Sequence, residues 1–262
     1  MRNEEGNSRH RAILQKLGFG QWSEYNLPAI NQAFVERSPR HLKDATYNIA
    51  RLSIACHSGL YHPDVNSSSV FILHHLLDKA LFSNQPENIL EIGTGCGVII
   101  LALQQFLNTG TYTGVDIDPA SIACAKSNAA RNDINIRFIQ SDLFSSIPGE
   151  RYDIIIFNFP LYAGAVEGKL APELIGKLYD YRGQLLERFI AELPAHLTKN
   201  GYAYLTISNT GHLAALDRPD LDINVIAFER FFNGFLRILI QLRPAELVGC
   251  RENVSNAASN FD

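Results

Sequence analysis

The sequence predicts an α/β fold: a mostly parallel sheet closed by an antiparallel C-terminal hairpin and preceded by a small N-terminal helical domain. Three observations carry this. Ile89 to Ile92 reads as a short buried strand running into a glycine-rich turn, Gly93-Thr94-Gly95-Cys96-Gly97, and then into an apolar helix from Val98 to Leu107. Strand and helix patterns alternate from there onward, as a parallel sheet requires. Near the end, Asn233-Gly234 joins two apolar runs, the strongest short hairpin signal.

Composition bounds the function classes. At 262 residues, 46% hydrophobic and 19% charged, the chain is an ordinary globular protein with room for one large domain and a small extension. The net charge of −4 and pI near 6.1 give no overall attraction to a polyanion. No apolar run approaches the roughly 18 residues needed to span a membrane, and Met1 to Ser8 has no apolar signal-peptide core. Cys56, Cys96, Cys124 and Cys250 are scattered, with no C-x-x-C pair or zinc spacing. The expectation is reduced cysteines, a cytoplasmic location and no metal.

Residues 1–7 are polar and read as frayed. From Ser8 to about Ile54 apolar residues recur at helical spacing: Ile13, Leu14 and Leu17, then Leu27, Ile30, Phe34 and Val35, then Leu42, Ala45, Ile49 and Leu52. Gly18-Phe19-Gly20 and Ser38-Pro39 interrupt them. Residues 1–58 are thus expected as a helical domain that packs over the main domain or recognises the acceptor. Gly59 to Asp64 reads as a linker. Ser67 to Ser69 can cap a helix from Ser68 to Phe82. His74 and His75 on that helix point in different directions, which disfavours a shared metal.

The glycine turn needs its glycines because a Cβ would block both the turn and the approach of a ligand, and a strand, a tight turn and a helix N-terminus turn backbone N–H groups toward an anion. The nicotinamide fingerprint G-x-G-x-x-G is incomplete, since Val98 stands at its last position. The pattern is instead Glu91-x-Gly93-x-Gly95-x-Gly97. Thr111 to Asp116 reads as the next strand, ending in an acid 23 positions after Gly93, and Ala120 to Ala130 as the following helix. Ile134 to Gln140 is a third strand leaving through Ser141-Asp142-Leu143-Phe144. Ile154 to Phe157 is a doubly buried fourth strand ending in Asn158-Phe159-Pro160-Leu161-Tyr162. A helix from Leu185 to Leu197, a turn at Asn200-Gly201, a strand from Tyr202 to Ile207 and the hairpin runs 223–232 and 235–242 complete the domain, expected as residues 59–244. Residues 245–262 read as a polar tail.

From Gly59 to Leu242 the chain resembles the class I S-adenosylmethionine (SAM) methyltransferases. The glycine turn, Asp116, Asp142 and Asn158-x-Pro160 occur in the family's order at strand ends. The branch containing the release-factor glutamine N5-methyltransferases is most similar, and Leu178 to Arg182 resembles its segment after the fourth strand. The resemblance implies a seven-stranded Rossmann-like sheet with SAM as cofactor. It implies that Glu91 lies near the methionine moiety, that Gly93, Thr94, Gly95, Cys96 and Gly97 form the cofactor turn, that Asp116 binds the ribose hydroxyls and that Ile117 also contacts the cofactor. Asp142 then bonds the adenine amino group and the Leu143 backbone meets the ring. By the same resemblance Asn158, the Phe159 carbonyl and Pro160 position the acceptor, and Asn158 also counts among the cofactor-binding residues. That branch carries Asn-Pro-Pro-Tyr where this chain has Asn-Phe-Pro-Leu; ribosomal RNA adenine dimethylases carry Asn-Leu-Pro-Tyr or Asn-Ile-Pro-Tyr. Tyr162, two positions late, is the candidate for the aromatic face.

The expected function is a SAM-dependent methyltransferase acting by direct in-line transfer on a planar amide or amino nitrogen, whose delocalised lone pair needs orienting hydrogen-bond acceptors. The acceptor is a protein glutamine or a small metabolite, and nucleic acid is not expected as the main one. Small-molecule O-methylation, RNA adenine N6-methylation and a non-catalytic SAM-fold binding module are the alternatives, with a nicotinamide oxidoreductase disfavoured by Val98.

Overall fold

The computed structural model describes residues 2–22, 29–30, 32–33, 36, 38–77, 86–161, 177, 180 and 183–245. Among them nine strands form: β1 (Ala45–Ile49), β2 (Leu52–Cys56), β3 (Asn88–Ile92), β4 (Thr111–Asp116), β5 (Arg137–Gln140), β6 (Tyr152–Phe157), β7 (Leu197–Ser208), β8 (Leu221–Arg230) and β9 (Leu236–Pro244). The α-helices are α1 (Arg2–Lys16), α2 (Ser68–Leu76), α3 (Val98–Leu107), α4 (Pro119–Arg131) and α5 (Gln184–His196).

Seven strands make one sheet in the order β5-β4-β3-β6-β7-β9-β8. The first five run parallel, and β9 lies antiparallel to both β7 and β8. The order reverses between β3 and β6, where the carboxyl ends of neighbouring strands diverge and open-sheet proteins hold their ligands. Alternate residues of the central strands feed the two faces. Leu90, Ile92, Ile155 and Leu205 pack with Ile13 and Leu14 of α1 and with Leu186, Phe189 and Leu193 of α5. On the other face Ile89, Ile154, Ile156 and Tyr204 pack with α2, α3, α4 and β2. Burying each such aliphatic side chain stabilises the fold by about 1.5–3 kcal/mol.

The sequence and the structure differ in the N-terminal region. The spacing of Leu42, Ala45, Ile49 and Leu52 predicts helix, whereas residues 45–56 form the antiparallel β1–β2 hairpin. The competing signal is the period of two in β2, where Leu52, Ile54 and Cys56 are buried and Ser53 and Ala55 are less so. The turn lacks the usual Asn-Gly; Ala50 and Arg51 take positive φ (50° and 66°) themselves. Asn128 and Asn132 of α4 dock the hairpin. The Asn128 carboxamide accepts from the Ala55 N–H (2.9 Å) and donates to the Ala55 carbonyl (2.8 Å). Asn132 makes the same pair of bonds with Ser53 (2.9 and 3.0 Å). Side-chain amides thus satisfy the open edge of β2 as a further strand would.

Other boundaries shift modestly. Helix α1 begins at Arg2 rather than after residue 7, and α2 ends at Leu76, the remainder of its expected span to Phe82 lying largely outside the described residues. The Asn200-Gly201 turn becomes an irregularity inside a longer β7, between the pairs Tyr152↔Leu197 and Ile154↔Tyr202. The tail from residue 246, with Cys250, lies outside the described residues.

Candidate active site

A cavity of about 840 Å³ opens at the carboxyl ends of the parallel strands. The glycine turn forms its floor. Gly93, Gly95 and Gly97 all have positive φ (63°, 55° and 82°), a region that favours glycine. A Cβ on Gly95 would project into open space, whereas one on Gly93 would press the Phe157 ring at 3.3 Å. Gly97 does a different job. It stands outside the cavity wall, N-caps α3, and leaves room for Ala125 of α4, whose Cβ would lie 3.2 Å from an added methyl. Gly95, Thr94 and Cys96 line the cavity and Gly97 sets the helix packing beneath it.

Gly97 offers no side-chain cap to α3, and Glu91 supplies one from β3. Its Oε2 accepts from the Ile100 N–H (3.1 Å) in the first turn of α3 and from the Thr94 hydroxyl (2.7 Å). Glu91 is 1% exposed, and burial pushes its carboxyl up to about 8, against the opposing effect of those two bonds. Asp116 at the end of β4 accepts from the Gly95 N–H (2.8 Å) and the Asp118 N–H (2.9 Å), which ties the turn to the second acid; burial raises its carboxyl too. The neighbouring Cys56 thiol and burial hold the Cys96 thiol well above its usual range, which favours the protonated thiol.

Ile117 follows Asp116 with 64% of its surface exposed, an apolar face on the cavity wall. Across from it, Asp142 and Leu143 leave β5, with Leu143 in the left-handed region (φ 48°). Asp142 accepts from Arg188 of α5 (2.9 Å). Lys177, 2.9 Å from Asp118, also donates to the Gly59 carbonyl (2.7 Å) and bridges the rim. Gly95 without a Cβ, the acid pair at the strand ends and the apolar faces of Ile117 and Leu143 fit a nucleoside carrying a short polar chain, as SAM does.

At the other end of the cavity stand Asn158, Phe159 and Pro160. The Phe159 N–H donates to the Phe157 carbonyl (2.9 Å), which puts Asn158 at the apex of a three-residue turn as β6 ends. Asn158 Nδ2 donates to Ser69 Oγ (3.1 Å), and Oδ1 accepts from the Thr206 hydroxyl (3.0 Å). The Leu161 carbonyl accepts from Thr210 Oγ1 (3.1 Å) and from Ser208 Oγ, pinning the segment to the end of β7. Tyr162 lies outside the described residues. Ser69 was read only as part of a helix cap, and Thr206, Lys177, Arg188 and Arg237, which also belong to this region, went unread. Ser69, Thr206, Lys177 and Arg188 reach their partners across the fold, where no local spacing marks them. Among the described residues no cluster of three His, Cys, Asp or Glu could hold a metal.

Comparisons with known proteins identify the family and the fold. Residues 51–216 match the methyltransferase small domain family. A Methanocaldococcus jannaschii protein, assigned as a protein N5-glutamine methyltransferase, is 32% identical over 174 residues, 65% of this chain and 83% of its own. The release factor glutamine methyltransferase of Koribacter versatilis is 40% identical over 97 residues, 36% of this chain and 34% of that one. The solved T. thermophilus 16S rRNA N2 G1207 methyltransferase, in complex with AdoMet and guanosine, shares the fold with a TM-score of 0.56 at 17% identity, over 76% of this chain and 49% of its own. The chain spans less than two thirds of the last two. With a seven-stranded sheet, a glycine turn at the switch in strand order and a match across more than half its length, the chain belongs to the methyltransferase small domain family and is a SAM-dependent methyltransferase.

Proposed function

We propose that the chain methylates the nitrogen of a primary carboxamide, with a protein glutamine side chain as the acceptor class. The observation that carries this is the Asn158 amide on the cavity wall, with one hydroxyl bonded to its oxygen and its nitrogen bonded to another. Each end keeps one further bond: a lone pair on Oδ1 and an N–H on Nδ2. That leftover pair complements a second carboxamide, which offers an N–H and a carbonyl in the same plane. Oδ1 accepts one acceptor N–H, and the Phe159 carbonyl is the candidate for the other. Together they aim the nitrogen lone pair and offset the positive charge that develops on it.

SAM, when bound, supplies an electrophilic methyl on a sulfonium whose charge is lost as the methyl leaves. Asp116 would hold its ribose hydroxyls, Ile117 and Leu143 would flank the adenine, Asp142 would accept from the adenine amino group, and Glu91 would face the methionine part. The cations around the mouth support an acceptor other than nucleic acid. Arg40 pairs with Asp64, Lys177 with Asp118, Arg188 with Asp142 and Arg237 with Glu229, which leaves little charge for a phosphate backbone. The glutamine named in the M. jannaschii and K. versatilis relatives supports the same acceptor class.

Single-turnover transfer to a glutamine-containing peptide, with SAM saturating, separates the readings. Asn158→Ala should slow transfer by ~10²–10³, the usual cost of one transition-state hydrogen bond in a desolvated site, with SAM affinity nearly intact. Asn158→Asp keeps an acceptor oxygen and should retain more activity than Ala with a neutral amide, but less with a carboxylate acceptor. Both variants running at the wild-type rate would remove Asn158 from the mechanism.

A further inference from the structure

We infer that Ser69 and Thr206 are positioning residues for methyl transfer: their hydroxyls clamp the Asn158 amide at its two ends and fix the plane in which it meets the acceptor. This rests on the reading of Asn158 as the acceptor-orienting group. An asparagine at the apex of a turn is free in χ1 and broad in χ2 unless something holds it. Here Ser69, in the first turn of α2, takes the nitrogen end at 3.1 Å, and Thr206, on the strand beside β6, takes the oxygen end at 3.0 Å. Both hydroxyl residues are buried, at 4% and 0% exposure, so the two bonds are shielded on their hydroxyl side while the amide still reaches the cavity.

The clamp is itself braced. Arg237 of β9 is buried, and its guanidinium donates to the Asn66 carbonyl (3.0 Å) and the Ser67 carbonyl (3.4 Å) at the start of α2, and to Glu229 (3.1 Å). The rings of Phe71 and Phe231 lie 5.5 and 5.2 Å from it. Ser67 caps the same helix through the Val70 N–H (3.2 Å). The helix start that carries Ser69 is therefore held to the antiparallel end of the sheet, while Thr206 belongs to the sheet directly. Two rigid elements grip one amide between them. A hydroxyl can donate or accept, so the pair sets the plane of the amide and leaves its remaining lone pair and N–H facing the cavity.

The test uses Thr206→Val, which keeps shape and removes the hydroxyl, Ser69→Ala, and the conservative Thr206→Ser, each alone and combined with Asn158→Ala. One readout is the pair of side-chain NH₂ resonances of Asn158 in ¹⁵N-labelled protein, identified by their loss in Asn158→Ala. The other is single-turnover transfer of labelled methyl from SAM to a glutamine-containing peptide, with SAM affinity from calorimetry. Thr206→Val and Ser69→Ala should shift the resonance pair and speed its exchange with water. They should slow transfer by about tenfold to a hundredfold with SAM affinity unchanged. Thr206→Ser should restore both readouts, and on the Asn158→Ala background neither loss should cost anything more. An unmoved resonance pair, or costs that add fully to that of Asn158→Ala, would overturn the clamp. If Thr206→Val does not fold, Ser69→Ala decides by the same readouts. If the wild-type protein does not label the peptide, the carboxamide reading falls, and the resonances alone decide the clamp.

Discussion

Glu91 stands on the cavity wall, nearly fully buried, and its Oε2 accepts from Thr94 and from the Ile100 N–H, so it braces the glycine turn and the start of α3. Burial holds its carboxyl at about 8 in the folded state, above 4.5 in the unfolded one. The folded protein therefore keeps the proton that the unfolded chain releases. The stability tied to that proton is complete below pH of about 4.5 and is lost as pH rises toward about 8, on the order of a few kcal/mol in all. Glu91→Gln keeps an acceptor oxygen and does not titrate. Melting temperatures from pH 5 to 8 should show a falling contribution in the wild type that the variant lacks; parallel curves would contradict this. Asp116 is the complementary case. Asp116→Ala should weaken SAM by at least roughly tenfold and also free the Gly95 and Asp118 N–H groups. Calorimetric titration with unchanged affinity would remove Asp116 from the cofactor site. Asp116 was legible because an acid closing the strand after a glycine turn is a local pattern. Ser69 and Thr206 were not, because they stand 89 and 48 residues from Asn158 and meet it only in three dimensions.

The β1–β2 hairpin shows at the level of elements where sequence reading stops. The parallel strands carry short apolar stretches bounded by glycine, acid or asparagine at their ends, and every one of them was legible. The hairpin is five residues to a strand, and its apolar positions fit a helical repeat as easily as a strand. Its turn residues, Ala50 and Arg51, do not announce themselves, because both hold positive φ at a cost that glycine or asparagine would avoid. Ala50→Asn combined with Arg51→Gly should stabilise the protein by about 1 kcal/mol, read from the denaturant midpoint; a lower midpoint would show that the turn is not strained as described. The carboxamide of Asn128 completes the docking. It bonds Ala55 at two points and the Cys96 carbonyl of the glycine turn (2.9 Å). Asn128→Ala leaves those buried groups unpaired and should cost about 2–4 kcal/mol, against a change within about 0.5 kcal/mol if the hairpin docks by its apolar face alone.

Over the whole molecule, one cavity runs from the acids at the ends of β3 and β4 to the turn after β6, so that both ends of a transfer reaction share one wall. The alternation of strands and helices and the Asn-Gly hairpin made this architecture legible, since each element's period agrees with its place in the sheet. Residues 162–176 stand between β6 and α5 in sequence, and the aromatic expected there, Tyr162, lies outside the described residues. Net charge of −4 and a mouth whose arginines and Lys177 face carboxylates predict weak RNA binding near physiological salt; tight binding that falls steeply with salt would instead favour the adenine-methylating alternative. The measurement that tests the central claim most directly is to incubate the protein with methyl-labelled SAM and a cell extract, digest the labelled fraction and identify the modified group. The account predicts label in protein, stable to mild base, recovered as a glutamine methylated on its side-chain nitrogen. Label released by mild base as from a methyl ester, or recovered in RNA, would contradict it.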